Sequence, residues 1–283
     1  MLTRARRGFT LAEVMVSLAL TLMVAGALYS VLLSTQRVTR AQAQRVDLQS
    51  NVRAGALIVL GELRELSAAP GGTAGQNDIL VAGSNAVVYR AMRGVGFICA
   101  APSATTFRIA RSSFSGARDP QAGRDEVLIF SEDSAAAGAG DSWLGTNIVG
   151  VGTGSPCPGA LGPGITLTVP VGASVTGPGI GTPVRIAEVM ELRLYESEGK
   201  SWLGARSVSS GETIQPLVGP LTKGSGFGLE YLDVTGMPTI DRTSIRSIRI
   251  TVRGTTDGGG AGNSIPVEEE LVTQVALRNA VQP

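Results

Sequence analysis

An apolar run near the N-terminus constrains this chain more than any other feature. Phe9–Leu33 is 25 positions long and carries one charge, Glu13. An α-helix rises about 1.5 Å per residue, so about 20 apolar residues cross the hydrocarbon core of a bilayer. The run is therefore long enough to span a membrane as a single helix. It is also longer than the apolar part of an ordinary cleaved secretory signal.

The charge that precedes the run predicts its orientation. Arg4, Arg6 and Arg7 precede the run, and no acid accompanies them. The positive-inside rule then keeps the N-terminus in the cytoplasm and sends the larger part of the chain across the membrane. Glu13 does not suit a plain anchor, because a carboxylate at the membrane centre costs about 2.5–3.5 kcal/mol. Either the headgroup region tolerates it, or a partner supplies a positive charge to pair with it.

The composition excludes many enzyme classes. The chain has no histidine, which removes the commonest general base, the imidazole-dependent triads and most zinc and iron sites. Its two lysines, Lys200 and Lys223, stand outside any phosphate-binding loop motif. Lys+Arg 24 against Asp+Glu 23 gives a net charge of +1, which argues against a nucleic-acid binder. We expect a protein that is not an enzyme, with no cofactor and no metal.

Residues 6–16 carry a resemblance to a known family. They read Arg-Arg-Gly-Phe-Thr-Leu-Ala-Glu-Val-Met-Val, and this resembles the class III signal of type IV pilins and type II secretion pseudopilins. The resemblance implies that a prepilin peptidase cuts between Gly8 and Phe9 and methylates the new amino group of Phe9. It also implies that Glu13, the fifth residue of the mature chain, neutralises the amino group of a neighbouring subunit in a filament. The cut leaves 21 basic and 23 acidic residues.

The helical period continues beyond the apolar run. Apolar residues recur at spacings of three and four and form one helix face: Leu48, Val52, Ala56, Val59, Leu63 and Leu66. No proline occurs before Pro70, which predicts one helix over residues 9 to about 67. Its first half is expected to anchor the subunit and its second half to lay an apolar face on the globular domain. An anchor followed by a stalk is the alternative.

From residue 73 onward the apolar period changes to two, which predicts antiparallel sheet. The glycine-rich Gly150–Gly154 is expected to be a loop or the edge of a strand. The predicted strands are Ala86–Arg93, Thr105–Arg111, Glu126–Ser131, Ile165–Val169, Val184–Glu196, Gly226–Asp233, Ser244–Arg253 and Val267–Leu277.

These patterns predict an α+β fold, with a long N-terminal helix packed on an antiparallel β-sheet domain. The expected organisation has four parts: a cleaved leader (1–8), a transmembrane and filament-core helix segment (9–35), an amphipathic helix (36–68) and a β-rich extracytoplasmic domain (69–283). Cys99 and Cys157 are the only cysteines. Both are expected outside the cytoplasm, where disulfides persist, so a bridge is expected, with two separate thiols as the alternative.

The order and spacing of the C-terminal strands resemble the ending of PilW-type minor pilins, with GspJ-type minor pseudopilins as relatives. This resemblance implies a minor pilin at the tip or at the start of type IV pilus assembly. The main shaft pilins of this family are usually shorter than this chain, so its length of 283 residues also favours a minor role. Its implied partners are the prepilin peptidase, other minor and major pilins, the inner-membrane assembly platform and the lipid bilayer. The implied location is the bacterial inner membrane, with the globular domain periplasmic, and then the pilus. Alternatives are a minor pseudopilin of type II secretion and a tip adhesin or DNA-uptake module.

Overall fold

A computed structural model describes residues 8–67, 77–132, 142–159, 162–172, 179–256 and 266–278. One long helix, α1 (Leu11–Arg64), is followed by a globular antiparallel β-sheet domain, so the predicted α+β fold is confirmed. A short 3₁₀ helix spans Arg111–Ser113. In chain order the strands are β1 (Ile79–Ala82), β2 (Ala86–Ser103), β3 (Thr106–Ala110), β4 (Ser115–Gly116), β5 (Asp125–Ser131), β6 (Ser142–Asn147), β7 (Gly150–Gly154), β8 (Gly164–Thr168), β9 (Pro183–Ser197), β10 (Lys200–Ser207), β11 (Gln215–Leu221), β12 (Phe227–Leu232), β13 (Ser247–Thr255) and β14 (Glu268–Ala276).

The chain divides into two compact units within α1, at Leu48 and Gln49. The first unit is Met1–Leu48 and consists, where described, of the first part of α1. The second unit is Gln49–Pro283 and contains the last turns of α1 together with all the described strands. The final part of the helix therefore belongs to the same compact unit as the sheets.

Two antiparallel sheets build the second unit. The larger sheet has the order β11-β10-β9-β2-β3-β8-β7, with β1 and β4 paired to β2, β5 paired to β9, and β6 paired to β5. The smaller sheet has the order β12-β13-β14. Strands β2 and β9 form the centre of the larger sheet and pair over most of their length. The glycine-rich segment Gly150–Gly154 forms β7, an edge strand of this sheet.

The last turns of α1 pack on both sheets through the predicted apolar face. Five residues of that face belong to the second unit and are buried: Val52, Ala56, Val59, Leu63 and Leu66. Leu48, the last residue of the first unit, is also buried. Around Gly55 the helix approaches Val218 of β11 and Val252 of β13. Asn51 Nδ2 donates to the carbonyl of Gly219 at 3.2 Å, and Tyr89 Oη donates to Glu62 at 3.0 Å. This packing confirms the predicted apolar face for residues 52–66, whereas residues 36–47 of the predicted amphipathic segment are exposed.

A buried aspartate fixes the chain where it leaves the helix. Asp78 Oδ2 accepts hydrogen bonds from the backbone N–H of Ser67 at 2.7 Å and from Arg185 Nη2 at 3.0 Å. The carbonyl of Leu66 accepts from the backbone N–H of Arg278, just after β14. The helix exit is therefore linked to the central strand β9 through Asp78, and to Arg278 after β14.

Cys99 lies on β2 and Cys157 follows β7, and the structure joins them in a disulfide with a Cα–Cα distance of 5.6 Å. A separate apolar core lies between β2, β3, β5, β8 and β9. Its buried members are Ile98, Phe107, Ile109, Val127, Ile129, Ile148, Ile165, Leu167, Val169, Val184 and Ile186.

A cluster of charges is buried on the central strands. Glu188 of β9 and Asp125 of β5 are cross-strand neighbours, and both are at most 2% exposed. Two negative charges directly opposite each other on neighbouring strands repel each other unless cations lie between them. Arg118 donates to both Asp125 oxygens at 2.6 Å and to Glu188 at 3.1 Å. Arg93 and Arg124 donate to the two oxygens of Glu188 at 2.7 and 2.5 Å.

The cluster holds Glu188 in its charged form. Burial by itself raises the pKa of this carboxyl, because a low-dielectric site disfavours the charge. Hydrogen bonds from Ser207, Arg93 and Arg124, together with the positive charge of Arg93, outweigh burial and lower the pKa to about 2. Glu188 is therefore an ion-paired centre of the β-rich unit at neutral pH.

Two glycines are expected to respond in opposite ways to an added methyl group. Gly61 is an exposed helix residue with no atom within 4 Å of a Cβ position, so Gly61→Ala should raise the free energy of unfolding by about 1 kcal/mol. At Gly96 a Cβ would stand 2.6 Å from Cγ2 of the fully buried Ile109, so Gly96→Ala should lower the free energy of unfolding by about 1–3 kcal/mol. Denaturant titration of the purified chain in detergent measures both. A loss of stability in Gly61→Ala would contradict the expectation.

Candidate functional site at the start of the long helix

Helix α1 begins with a reciprocal pair of side-chain caps. Thr10 is the residue before the helix and Glu13 is its third residue. The hydroxyl of Thr10 accepts from the backbone N–H of Glu13 at 3.3 Å, and Glu13 Oε2 accepts from the backbone N–H of Thr10 at 2.9 Å. This arrangement is a capping box, in which two N–H groups that the helix leaves unpaired find partners.

The capping box occupies only one oxygen of Glu13. Oε2 also accepts from the Thr10 hydroxyl at 3.0 Å. Among the described residues, none donates to the other oxygen, Oε1. The carboxylate is therefore positioned by its own helix end and retains an oxygen that can accept from another molecule.

The apolar segment behind Glu13 is suited to a lipid or protein environment. From Gly8 to Asp47 the described side chains are exposed, except that Leu33 is half-buried. In this part of the helix five serine and threonine hydroxyls donate to a backbone carbonyl three or four residues earlier: Ser17, Thr21, Ser30, Thr35 and Thr39. Such bonds satisfy hydroxyls that would otherwise be unpaired in hydrocarbon. By length and composition α1 can cross a membrane.

Gly8 and Phe9 lie immediately before the capped helix end. Both are exposed, and the Phe9 side chain is 88% accessible. The leader residues before Gly8, including Arg4, Arg6 and Arg7, lie outside the described residues. The bond between Gly8 and Phe9 thus lies in an exposed stretch that has no regular secondary structure.

Thr10 is the residue of this site that sequence reasoning did not single out. The signal was present, because Thr10-Leu11-Ala12-Glu13 has the spacing of a capping box before an apolar run. Cys99 and Cys157, the other predicted site residues, belong to the β-rich unit. Within the described residues, no group of three or more acidic or cysteine side chains is close enough to hold a metal ion.

The comparison with protein families identifies this helix start. Residues 3–29 match the family model of the prokaryotic N-terminal methylation motif. The chain carries a class III prepilin signal. This finding supports a type IV pilin-like or pseudopilin-like protein, and it implies processing by a prepilin peptidase and assembly with other pilins. The apolar helix with this signal is compatible with an inner-membrane anchor. No curated protein and no solved structure matches the chain.

Proposed function

We propose that this chain is a prepilin that becomes a minor, non-catalytic subunit of a type IV pilus, near its tip or at the start of assembly. The observation that carries the proposal is the methylation motif, which covers Gly8, Phe9 and Glu13 and leads into an exposed apolar helix. The prepilin peptidase cuts after Gly8 and methylates Phe9. The mature helix then leaves the bilayer and packs among other pilin helices.

In this proposal Glu13 has two successive partners. In the separate subunit its carboxylate is held by the backbone N–H and hydroxyl of Thr10. In the filament Oε1 accepts from the α-amino group of a neighbouring subunit, which forms a charge-assisted hydrogen bond in an apolar surrounding. A carboxylate and an ammonium that enter such a surrounding are stable only as a pair, so the pairing selects the correct axial position of the incoming subunit.

The closest second candidate is a minor pseudopilin of a type II secretion system. The same motif serves both kinds of filament, so the motif and the exposed helix support both. Deletion of the chain in its host separates them. Loss of surface pili with normal protein secretion supports the pilus. Loss of secretion with normal pili supports the pseudopilin.

The processing step is tested by the intact mass and N-terminal residue of the protein from its native membrane, with and without the host's prepilin peptidase. We expect a chain that begins at N-methylated Phe9 in the wild-type host and at Met1 in the peptidase-deficient host. The peptidase-deficient host serves as the control for other proteases. A chain that begins at Met1 in both hosts would refute the proposal.

A further inference from the structure

Three arginines follow the apolar run and form what we call the arginine belt: Arg37, Arg40 and Arg45. All three lie on α1 and are exposed. None of the described residues forms an ion pair with them. Between Leu33 and Leu48 the only acidic residue is Asp47, so this stretch of helix carries a net positive charge.

The length of the apolar segment places the belt relative to a bilayer. Val14–Leu33 is 20 residues, which is about 30 Å of helix and equals the thickness of the hydrocarbon core. Glu13 then stands at the cytoplasmic boundary of the hydrocarbon. Arg37 and Arg40 follow Leu33 by about 6 and 10 Å along the helix, within reach of the outer headgroups for flexible side chains. Arg45 follows by about 18 Å and is further from the lipid phosphates.

Leader removal changes the charge balance across the membrane. Before the cut, Arg4, Arg6 and Arg7 stand on the cytoplasmic side and three arginines of the belt stand on the other side. After the cut the cytoplasmic arginines are gone and the belt remains. Arginines then flank the hydrocarbon on the outer side alone, and the cation left at the cytoplasmic end is the α-amino group of Phe9.

We propose that the arginine belt binds the headgroups of anionic phospholipids in the extracytoplasmic leaflet and holds the mature subunit at a fixed depth until it leaves the bilayer. This proposal rests on the proposed function for the orientation of the chain. The contact is between guanidinium groups and lipid phosphates, which pair well in charge and geometry. At 3.6 residues per turn the three side chains spread over about 140° of the helix, which suits headgroups that surround it better than one narrow protein seam.

Lipid retention tests the belt. The mature full-length chain is purified from its membrane and placed in micelles with equal amounts of phosphatidylglycerol and phosphatidylcholine, and native mass spectrometry counts the lipids that stay bound. We expect phosphatidylglycerol to be enriched. Arg37→Gln and Arg40→Gln should each reduce the enrichment by about fivefold, and Arg45→Gln should reduce it less. Raising NaCl to 1 M should remove the enrichment, because the Debye length falls to about 3 Å.

Arg53→Gln is the matched control. Arg53 lies on the same helix, is exposed and has no ion-pair partner among the described residues, but it follows Leu33 by 20 positions. We expect Arg53→Gln to bind lipid as the wild type does. The double variant Arg37→Lys/Arg40→Lys keeps the charge and should keep most of the enrichment. The Arg53→Gln result tests whether any positive charge on the helix attracts lipid. The lysine variant tests whether the loss in Arg37→Gln and Arg40→Gln comes from the missing charge or from a change in folding.

Two outcomes would overturn the belt. One is a wild-type chain that shows no preference for phosphatidylglycerol over phosphatidylcholine. If Arg37→Gln then also loses incorporation into filaments, the arginines contact other subunits instead of lipid. The other is an equal loss of enrichment in Arg53→Gln and Arg37→Gln. The same spectra give the mass of the chain and so its first residue. A chain that starts at Met1 would refute the proposed processing. A chain that starts at Phe9 and shows no lipid preference would refute only the arginine belt.

Discussion

Glu13→Gln is expected to lower incorporation of the subunit into filaments by at least about a hundredfold, while cleavage after Gly8 and membrane insertion continue. The reason is the loss of a charge in the assembled state. Without the carboxylate, the α-amino group of the neighbouring subunit is left as an unpaired charge in an apolar surrounding, which costs about 3–5 kcal/mol. Sheared filaments and membranes are collected separately, and the subunit in each fraction is quantified by immunoblot.

Glu13→Gln removes the charge and keeps the helix cap, because the capping box accepts either glutamate or glutamine at the third helix position. Thr10→Ala makes the opposite change. It removes the hydroxyl half of the cap, which is worth about 1 kcal/mol, and leaves the carboxylate in place. We therefore expect Thr10→Ala to reduce incorporation modestly. Asp47→Asn removes an exposed acid beyond the apolar segment and should have no effect. Wild-type incorporation of Glu13→Gln would refute the pairing.

Glu188→Gln is expected to lower the free energy of unfolding of the β-rich unit by about 3–5 kcal/mol at neutral pH, because it removes the buried charge that three half-buried arginines share. Denaturant titration of the full chain measures the change. Glu270→Gln is the control, since Glu270 and its partner Arg253 are exposed. An exposed ion pair contributes about 0–1 kcal/mol, so the control should lie close to the wild type.

The stabilising effect of Glu188 should also depend on pH. Its pKa in the folded state is about 2, below the ordinary value of 4.5. A lowered pKa means that the unfolded state takes up the proton first, so the stabilisation is fully present above pH 4.5 and is lost as the pH falls toward 2. The stability difference between wild type and Glu188→Gln should therefore shrink over that range. A difference that stays constant from pH 6 to pH 2.5 would show that the charge of Glu188 is not the source of the stabilisation.

Local patterns predicted the long helix and most of the strands. The helix expected over residues 9 to about 67 runs from Leu11 to Arg64, and its predicted apolar face is buried. The sequence did not predict β11 as a strand, because Pro216 and Pro220 argue against one. The structure places β11 at the edge of the larger sheet, where a missing backbone N–H is tolerated. Glycine-rich β7 is likewise an edge strand, next to the better patterned β8.

The candidate site at the helix start could be read from the sequence because its parts are close together in the chain. Gly8, Phe9, Thr10 and Glu13 act through spacing along one short segment, and a helix fixes that spacing in space. The buried cluster around Glu188 could not be read in the same way. Arg93 lies on β2, Arg118 and Arg124 lie in the segment just before β5, and these segments reach Glu188 only when β2 and β5 pair with β9.

The sequence by itself thus determined the membrane-length helix, its processing motif, its capped start and the antiparallel character of the body, since each depends on residues a few positions apart. Tertiary structure decided which strands are neighbours, where the last turns of α1 pack, and how Glu188 and Asp125 become buried charges with shared arginines. The physical reason is the range of the interactions. Helix periodicity and capping act within one or two turns, whereas the burial and pairing of charges depend on segments that only the folded chain brings together.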